Sequence, residues 1–163
     1  MLSSNKKINK KSGGKNMPVG IACDHGGFLL KQKIKIILEA GRYKYIDYGT
    51  STGESCDYPK FGIKLIMAIL NKKINRGLLI CRSGIGFSIL ANRFKGIRAA
   101  LCYNAKAAKR SRQHNDSNVL ILGADYVKAK DIKKILQAWL NAEFEGGRHQ
   151  RRLKQIEKYS YKH

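Results

Sequence analysis

The chain reads as an α/β protein built on a parallel sheet. From Met17 onward, short apolar runs of strand length alternate with longer segments whose apolar residues recur at helical spacing. Glycine-containing and polar stretches follow the apolar runs, as strand-to-helix turns require. A length of 163 residues, 43% of them hydrophobic and only two of them proline, suits one ordered domain with a single core.

Taken in order, the strand candidates are Val19 to Cys23, Tyr43 to Asp47, Gly77 to Cys81, Ile97 to Cys102 and Val119 to Leu122. Leu30, Ile34, Ile37 and Leu38 predict a covering helix after the first strand, with Gly41 as its stop. Pro59, Ile63, Ile66, Met67 and Leu70 predict a second, opened by Asp57 and Pro59 as capping chemistry favours. Ile132, Ile135, Leu136, Trp139 and Leu140 predict a third, with Asp131 in its first turn, and place Trp139 in the core. After Gly146-Gly147, a polar helix-compatible run ends near Tyr159. It carries too few apolar residues to be a self-contained core helix, which suits packing on a partner subunit.

Residues 1–16 place five lysines among Ser, Asn and Gly and are expected to form a disordered basic tail, leaving 17–163 as the domain. The formal charge of +22 raises nucleic acid as a partner. The basic residues are spread through nearly every segment, with no binding motif and no interleaved aromatics, so no specific nucleic acid is expected. No apolar stretch reaches membrane-spanning length, and the N-terminus lacks a secretory pattern, which points to the cytoplasm. Cys23, Cys56, Cys81 and Cys102 show no close pairing of the metal or redox kind, and no metal is expected.

In open parallel sheets, ligands bind beyond the carboxyl ends of the strands. The first strand runs into Cys23-Asp24-His25-Gly26-Gly27, and the third into Cys81-Arg82-Ser83-Gly84-Ile85-Gly86-Phe87-Ser88. The latter is a small-residue turn into a helix, where backbone N–H groups converge on an anion. A dinucleotide pattern fails at Ile89, where its last glycine belongs, and Tyr103 stands where a ribose-binding acid is expected. Helix dipole and Arg82 are both expected to favour thiolate at Cys81, whereas Cys23 and Cys102 read as packed core thiols and Cys56 as a loop thiol. His25 and His114 lie in polar stretches at the same sheet edge. Arg148 and Arg152, four apart on a helix, share a face suited to a phosphate.

Five ordered motifs carry a resemblance: Cys23-Asp24-His25-Gly26-Gly27, Asp57-Tyr58-Pro59, Cys81-x-Ser83-Gly84-Ile85-Gly86, Ser111-Arg112-Gln113-His114-Asn115-Asp116 and Glu145-Gly146-Gly147-Arg148-His149-Gln150. From about Met17 to about Tyr159 the chain resembles the type B ribose-5-phosphate isomerases, a family that also holds galactose-6-phosphate and allose-6-phosphate isomerases. The resemblance implies a Rossmann-like α/β/α sandwich with a five-stranded parallel sheet and a C-terminal helix on a partner subunit. It implies a homodimer or a dimer of dimers with sites shared between subunits, and cofactor-independent interconversion of ribose 5-phosphate and ribulose 5-phosphate. It gives Cys81 the role of the base and the loop from Arg82 to Gly86, with Ser83, Gly84 and Ile85, that of holding an enediolate. His114, helped by Asp24, opens the sugar ring; His25, Arg148 and Arg152 hold the phosphate; Tyr58 and Asn115 hold the hydroxyls.

Where the family has glycine after the catalytic cysteine, this chain has Arg82. A long side chain there strains a backbone of positive φ, obstructs the pocket, turns outward, or adds positive charge beside Cys81. Reduced but measurable activity is expected. A hexose 6-phosphate isomerase and, more remotely, a nucleic-acid-binding protein on a decayed enzyme fold are the alternatives.

Overall fold

The apolar runs become strands because each is covered on both faces. β1 (Val19–Cys23) and β5 (Val119–Gly123) are buried along their whole length, and β3 (Arg76–Cys81) is buried at every residue but its first. In this computed structural model, which describes residues 17–160, they form a five-stranded parallel sheet in the order β2-β1-β3-β5-β4, with β2 at Tyr45–Asp47 and β4 at Ala99–Leu101. The basic tail expected over residues 1–16 lies outside the described residues.

The helices are α1 (Phe28–Ala40), α2 (Tyr58–Leu70), α3 (Ile85–Ala91), α4 (Ala105–Asn115), α5 (Ile132–Asn141) and α6 (Arg148–Ser160). Right-handed crossovers decide their faces: connections running toward β2 and those running toward β4 emerge on opposite sides. One core layer joins α1, α4 and α5 to the sheet through Ile34, Leu38, Ala108, Ile135 and Trp139, and the other joins α2 and α3 through Leu65, Ile66, Phe87 and Ala91. This is the α/β/α sandwich expected. The chain reverses direction across the sheet on either side of β3, which leaves crevices at the carboxyl ends of β1, β3 and β5.

Trp139 is fully buried, as expected, and donates its indole N–H to Ser117 Oγ at 2.9 Å. Three expectations shift. The α2 stripe is displaced: Gly62, Leu65, Ile66 and Ile69 face the core, while Ile63, Met67 and Leu70 lie exposed. Gly20 and Gly77 explain this, because their missing side chains leave on the sheet the space that Leu65 fills. At the end of α1 the left-handed residue is Arg42, φ 57°, and not Gly41, φ −82°. β4 is shorter than its apolar run because it is an edge strand paired only with β5, and Arg98 before it turns its backbone N–H to the Asn118 side chain.

Candidate active site

The Cys81 loop is shaped by its glycines. Gly84 sits at φ 80°, and a side chain there would run into Leu101, so only glycine allows the turn out of β3. The turn swings the Gly84 N–H back onto Cys81 Sγ at 3.1 Å, and Ser83 Oγ accepts from the Ile85 N–H at 3.2 Å. The convergence of backbone donors expected for this loop is therefore present, with the sulfur at its centre.

Cys81 is almost buried, and that burial pushes its thiol up from the ordinary value; the Asp24 carboxylate pushes the same way. The backbone N–H groups of Gly84, Phe87 and Ser83 pull it back. The effect expected of Arg82 is not part of this balance. The Arg82 guanidinium is 71% exposed and turned to Asp125 at 3.8 Å. Its backbone lies outside the left-handed region, which among the described non-glycine residues holds only Arg42, Lys72 and Asp116. The strained-backbone expectation falls, and the outward orientation holds.

Two further segments close on this loop. Asp24 caps the 3-10 turn His25–Gly27, accepting the Gly27 N–H at 3.0 Å, and is itself buried. Gly27 packs so closely on the Ile80 carbonyl that a Cβ would not fit, and this holds the β1 loop against β3. His25 Nδ1 lies 3.2 Å from both the N and the O of Cys56, which ties the β1 loop to the segment leading into α2. There the half-buried Tyr58 ring lies over Gly86, where a Cβ would come within 2.8 Å of its Cζ, and meets Phe87 edge-on at 5.3 Å. Asp24, His25, Tyr58, Cys81, Ser83, Gly84 and Gly86 thus share one crevice. Ile85 joins them in sequence but points outward, 53% exposed.

His114, Asn115, Arg148 and Arg152 belong to a second cluster, where α6 packs on α4. The His114 and His149 rings stack with centroids 4.2 Å apart and planes 6° from parallel, and Glu145 Oε2 lies 3.7 Å from the Nε2 of each. Arg148 and Arg152 are exposed on a face of α6 beside the buried His149 and Leu153, and Asn115 is exposed at the end of α4. No hydrogen bond or ion pair among the described residues joins this cluster to the Cys81 crevice. Sequence reasoning gave Glu145 and His149 no role; their i,i+4 spacing within the Glu145 to His149 motif was the available signal.

The other thiols fit their expected roles. Cys23 and Cys102 are buried, with burial driving Cys23 up to about 12 and Cys102 upward, and Cys56 is partly exposed.

Residues 19–156 match the model of a family described as Ribose/Galactose Isomerase. The chain is 44% identical over 138 residues to ribose-5-phosphate isomerase B of Escherichia coli, an alignment covering 85% of this chain and 93% of that protein. Among solved structures, ribose-5-phosphate isomerase B of Clostridium thermocellum superposes with a TM-score of 0.84 at 46% identity, covering 87% of this chain and 96% of the other. The Mycoplasma genitalium ribose-5-phosphate isomerase B with bound ribulose-5-phosphate superposes with a TM-score of 0.84 at 36% identity, covering 91% and 99%.

Proposed function

The chain belongs to the ribose/galactose isomerase family, and from that membership we infer that it is an aldose–ketose isomerase that interconverts ribose 5-phosphate and ribulose 5-phosphate. The single observation that carries the mechanism is Cys81, a thiol held under a turn of backbone donors at the carboxyl end of the central strand. The galactose side of the family is the second reading, but the Escherichia coli and Clostridium thermocellum relatives, at 44% and 46% identity, are named for the pentose phosphate.

A proton next to a carbonyl is weakly acidic, so the reaction needs a positioned base and donors for the oxygen where charge collects. In the open-chain aldose, the Cys81 thiolate takes the proton from C2, and the electron pair left behind forms the C1–C2 double bond of an enediolate whose charge rests on O1. The same proton returns to C1, while the C2 hydroxyl gives up its own proton to O1 and becomes the ketone. No oxidant or cofactor enters the balance. The loop N–H groups and the Ser83 hydroxyl are the donors for the enediolate. His114, with Asp24, moves the proton that opens the furanose ring. His25, Arg148 and Arg152 grip the phosphate, and Tyr58 and Asn115 the hydroxyls, so that remote binding energy positions the reacting carbons.

Two clusters in one chain make a whole site when two copies meet, one lending the Cys81 crevice and the other the His114 cluster. What supports this reading is that no hydrogen bond or ion pair among the described residues joins the two clusters within one chain, together with the apolar side chains left uncovered, Ile63, Met67 and Leu70 on α2 and Ile85 and Ile89 on α3. Residues 17–163 are then one domain of a homodimer or a dimer of dimers. No helix among the described residues is long and apolar enough to cross a membrane, and a sugar phosphate substrate suits the cytoplasm.

The test is turnover of ribose 5-phosphate by wild type and Cys81→Ala. Wild-type activity lost in the variant by about a thousandfold or more is the expected result for removal of the base. Comparable turnover by both would remove Cys81 from the mechanism. Because burial pushes the thiol upward and the thiolate is the working form, wild-type kcat/KM should climb with pH through the neutral and mildly alkaline range.

A further inference from the structure

The His114 cluster holds a buried polar atom that the reaction as described does not use. His149 is 7% exposed, and its Nε2 has no hydrogen-bond partner among the described residues. It faces Glu145, whose carboxylate lies at the same 3.7 Å from His114 Nε2, and its ring lies flat on the His114 ring. Two histidines and a carboxylate have the composition of a cation site. Rings 6° from parallel, however, aim their lone pairs side by side and not at one point. The arrangement suits one shared proton better. Glu145 is 48% exposed, so its side chain is free to close the few tenths of an ångström to either nitrogen.

We propose that His149 and Glu145 are positioning residues for His114: the His149 ring fixes the plane of the His114 ring by stacking, and Glu145 is the carboxylate partner for the ring that carries the proton. The proposal rests on His114 as the group that opens the sugar ring. Burial and the neighbouring His114 both push His149 below the ordinary imidazole value, as do Arg148 and Arg152, with Glu145 opposing them. These influences push the buried His149 ring toward its neutral form. On α4, Arg110 stands one turn before His114, and Asp116 is taken up by Arg112 at 2.8 Å and by Arg98 at 2.6 Å; Glu145 is the anion that faces both rings.

The reaction itself separates a positioning role from a structural one. Ribose 5-phosphate must be opened, whereas ribulose 5-phosphate, its terminal oxygen phosphorylated, is already an open chain. Both directions should be measured across pH, with melting temperatures, for wild type, His149→Ala, His149→Phe, Glu145→Gln and His114→Ala. His149→Ala should lower kcat on ribose 5-phosphate about tenfold, with KM within about twofold, and should leave the ketose direction within about twofold. His149→Phe, which keeps a flat ring for stacking, should recover most of the loss. Glu145→Gln, at an exposed position, should fold normally and move the acidic limb of kcat/KM to lower pH, because a histidine that loses a facing carboxylate holds its proton less tightly. Equal losses in both directions, no recovery with Phe, or an unmoved acidic limb would overturn the proposal. If His114→Ala loses the aldose direction and His149→Ala does not, the positioning role alone falls. If His114→Ala keeps that direction, the ring-opening reading falls with it.

Discussion

The stem of Arg82 occupies the space that a side chain on Gly26 would need: a Cβ built on Gly26 would stand 2.5 Å from Arg82 Cγ and 3.4 Å from Asp24 Oδ1. The β1 loop and the Cys81 loop are thus packed against each other through one absent side chain and one long one. The relationship couples two residues that the sequence separates by more than fifty positions.

This coupling predicts a double-mutant cycle. Gly26→Ala should destabilise the wild-type protein by about 1–2 kcal/mol through overpacking, and by clearly less in an Arg82→Gly background. Urea unfolding of the four proteins measures the interaction, and additive effects would contradict the packing argument. Arg82→Gly should also raise kcat/KM on ribose 5-phosphate by about threefold, a change of about 0.6 kcal/mol, because the stem then no longer narrows the mouth beside Asp24. An unchanged value would show that Arg82 does not obstruct the pocket.

Gly84→Ala should be severe. A side chain at φ 80° costs about 1–3 kcal/mol, and here it also meets Leu101. Thermal melts should show the loss. Alanine keeps the backbone N–H but disfavours the left-handed turn that aims it at Cys81 Sγ, so kcat/KM should drop by about a hundredfold, the scale of one misdirected backbone donor. A stable variant with near-normal turnover would disprove the account of this turn.

Lys31 is buried at 1% exposure, with its ammonium on Asp47 at 2.9 Å and on the Thr50 carbonyl at 2.6 Å. Asp47 also accepts from the Gly49 N–H and from Lys35. Asp47→Asn strands a buried cation and should cost about 3 kcal/mol. Lys31→Met removes the charge and keeps the volume, so it should cost less. If denaturant midpoints rank the two the other way, the ammonium is not the group that needs the pair.

Burial raises Cys23 from 9.0 to about 12. A group with a raised folded pKa contributes stability that is present below the unfolded value and lost as pH rises toward the folded one. Stability should therefore decline between about pH 9 and pH 12, and less steeply in Cys23→Ala, by up to about 1.4 kcal/mol per pH unit. Unfolding at pH 8 and at pH 10.5 for both proteins checks the sign. Parallel declines would show that Cys23 ionises normally.

Much of the fold was legible because strand runs and the α5 stripe carry strong local signals: Ile132, Ile135, Leu136 and Trp139 are buried on the face that their spacing predicts. The phase of α2 was not legible. Ile63, Ile66, Met67 and Leu70 form an equally regular stripe, and the choice against it was made by Gly20 and Gly77, which open a hollow for Leu65 on a sheet formed by distant strands. The Cys81 loop could be read as a cradle for negative charge because small residues after a buried strand leave backbone N–H groups free. The orientation of Arg82 and the absence of left-handed strain beneath it could not, since they depend on Asp125 and Gly26 arriving from other strands.

By itself the sequence determined the alternation of strand and helix, the polar loops at strand ends, and the motifs that mark the family, because each is written in the chemistry and spacing of neighbouring residues. Tertiary structure alone decided that Asp24, His25 and Tyr58 share the Cys81 crevice, and that His114 stacks on His149 beside Glu145. The physical reason is that close packing joins residues far apart in the chain. Burial then sets how each side chain is oriented and how readily it gains or loses a proton.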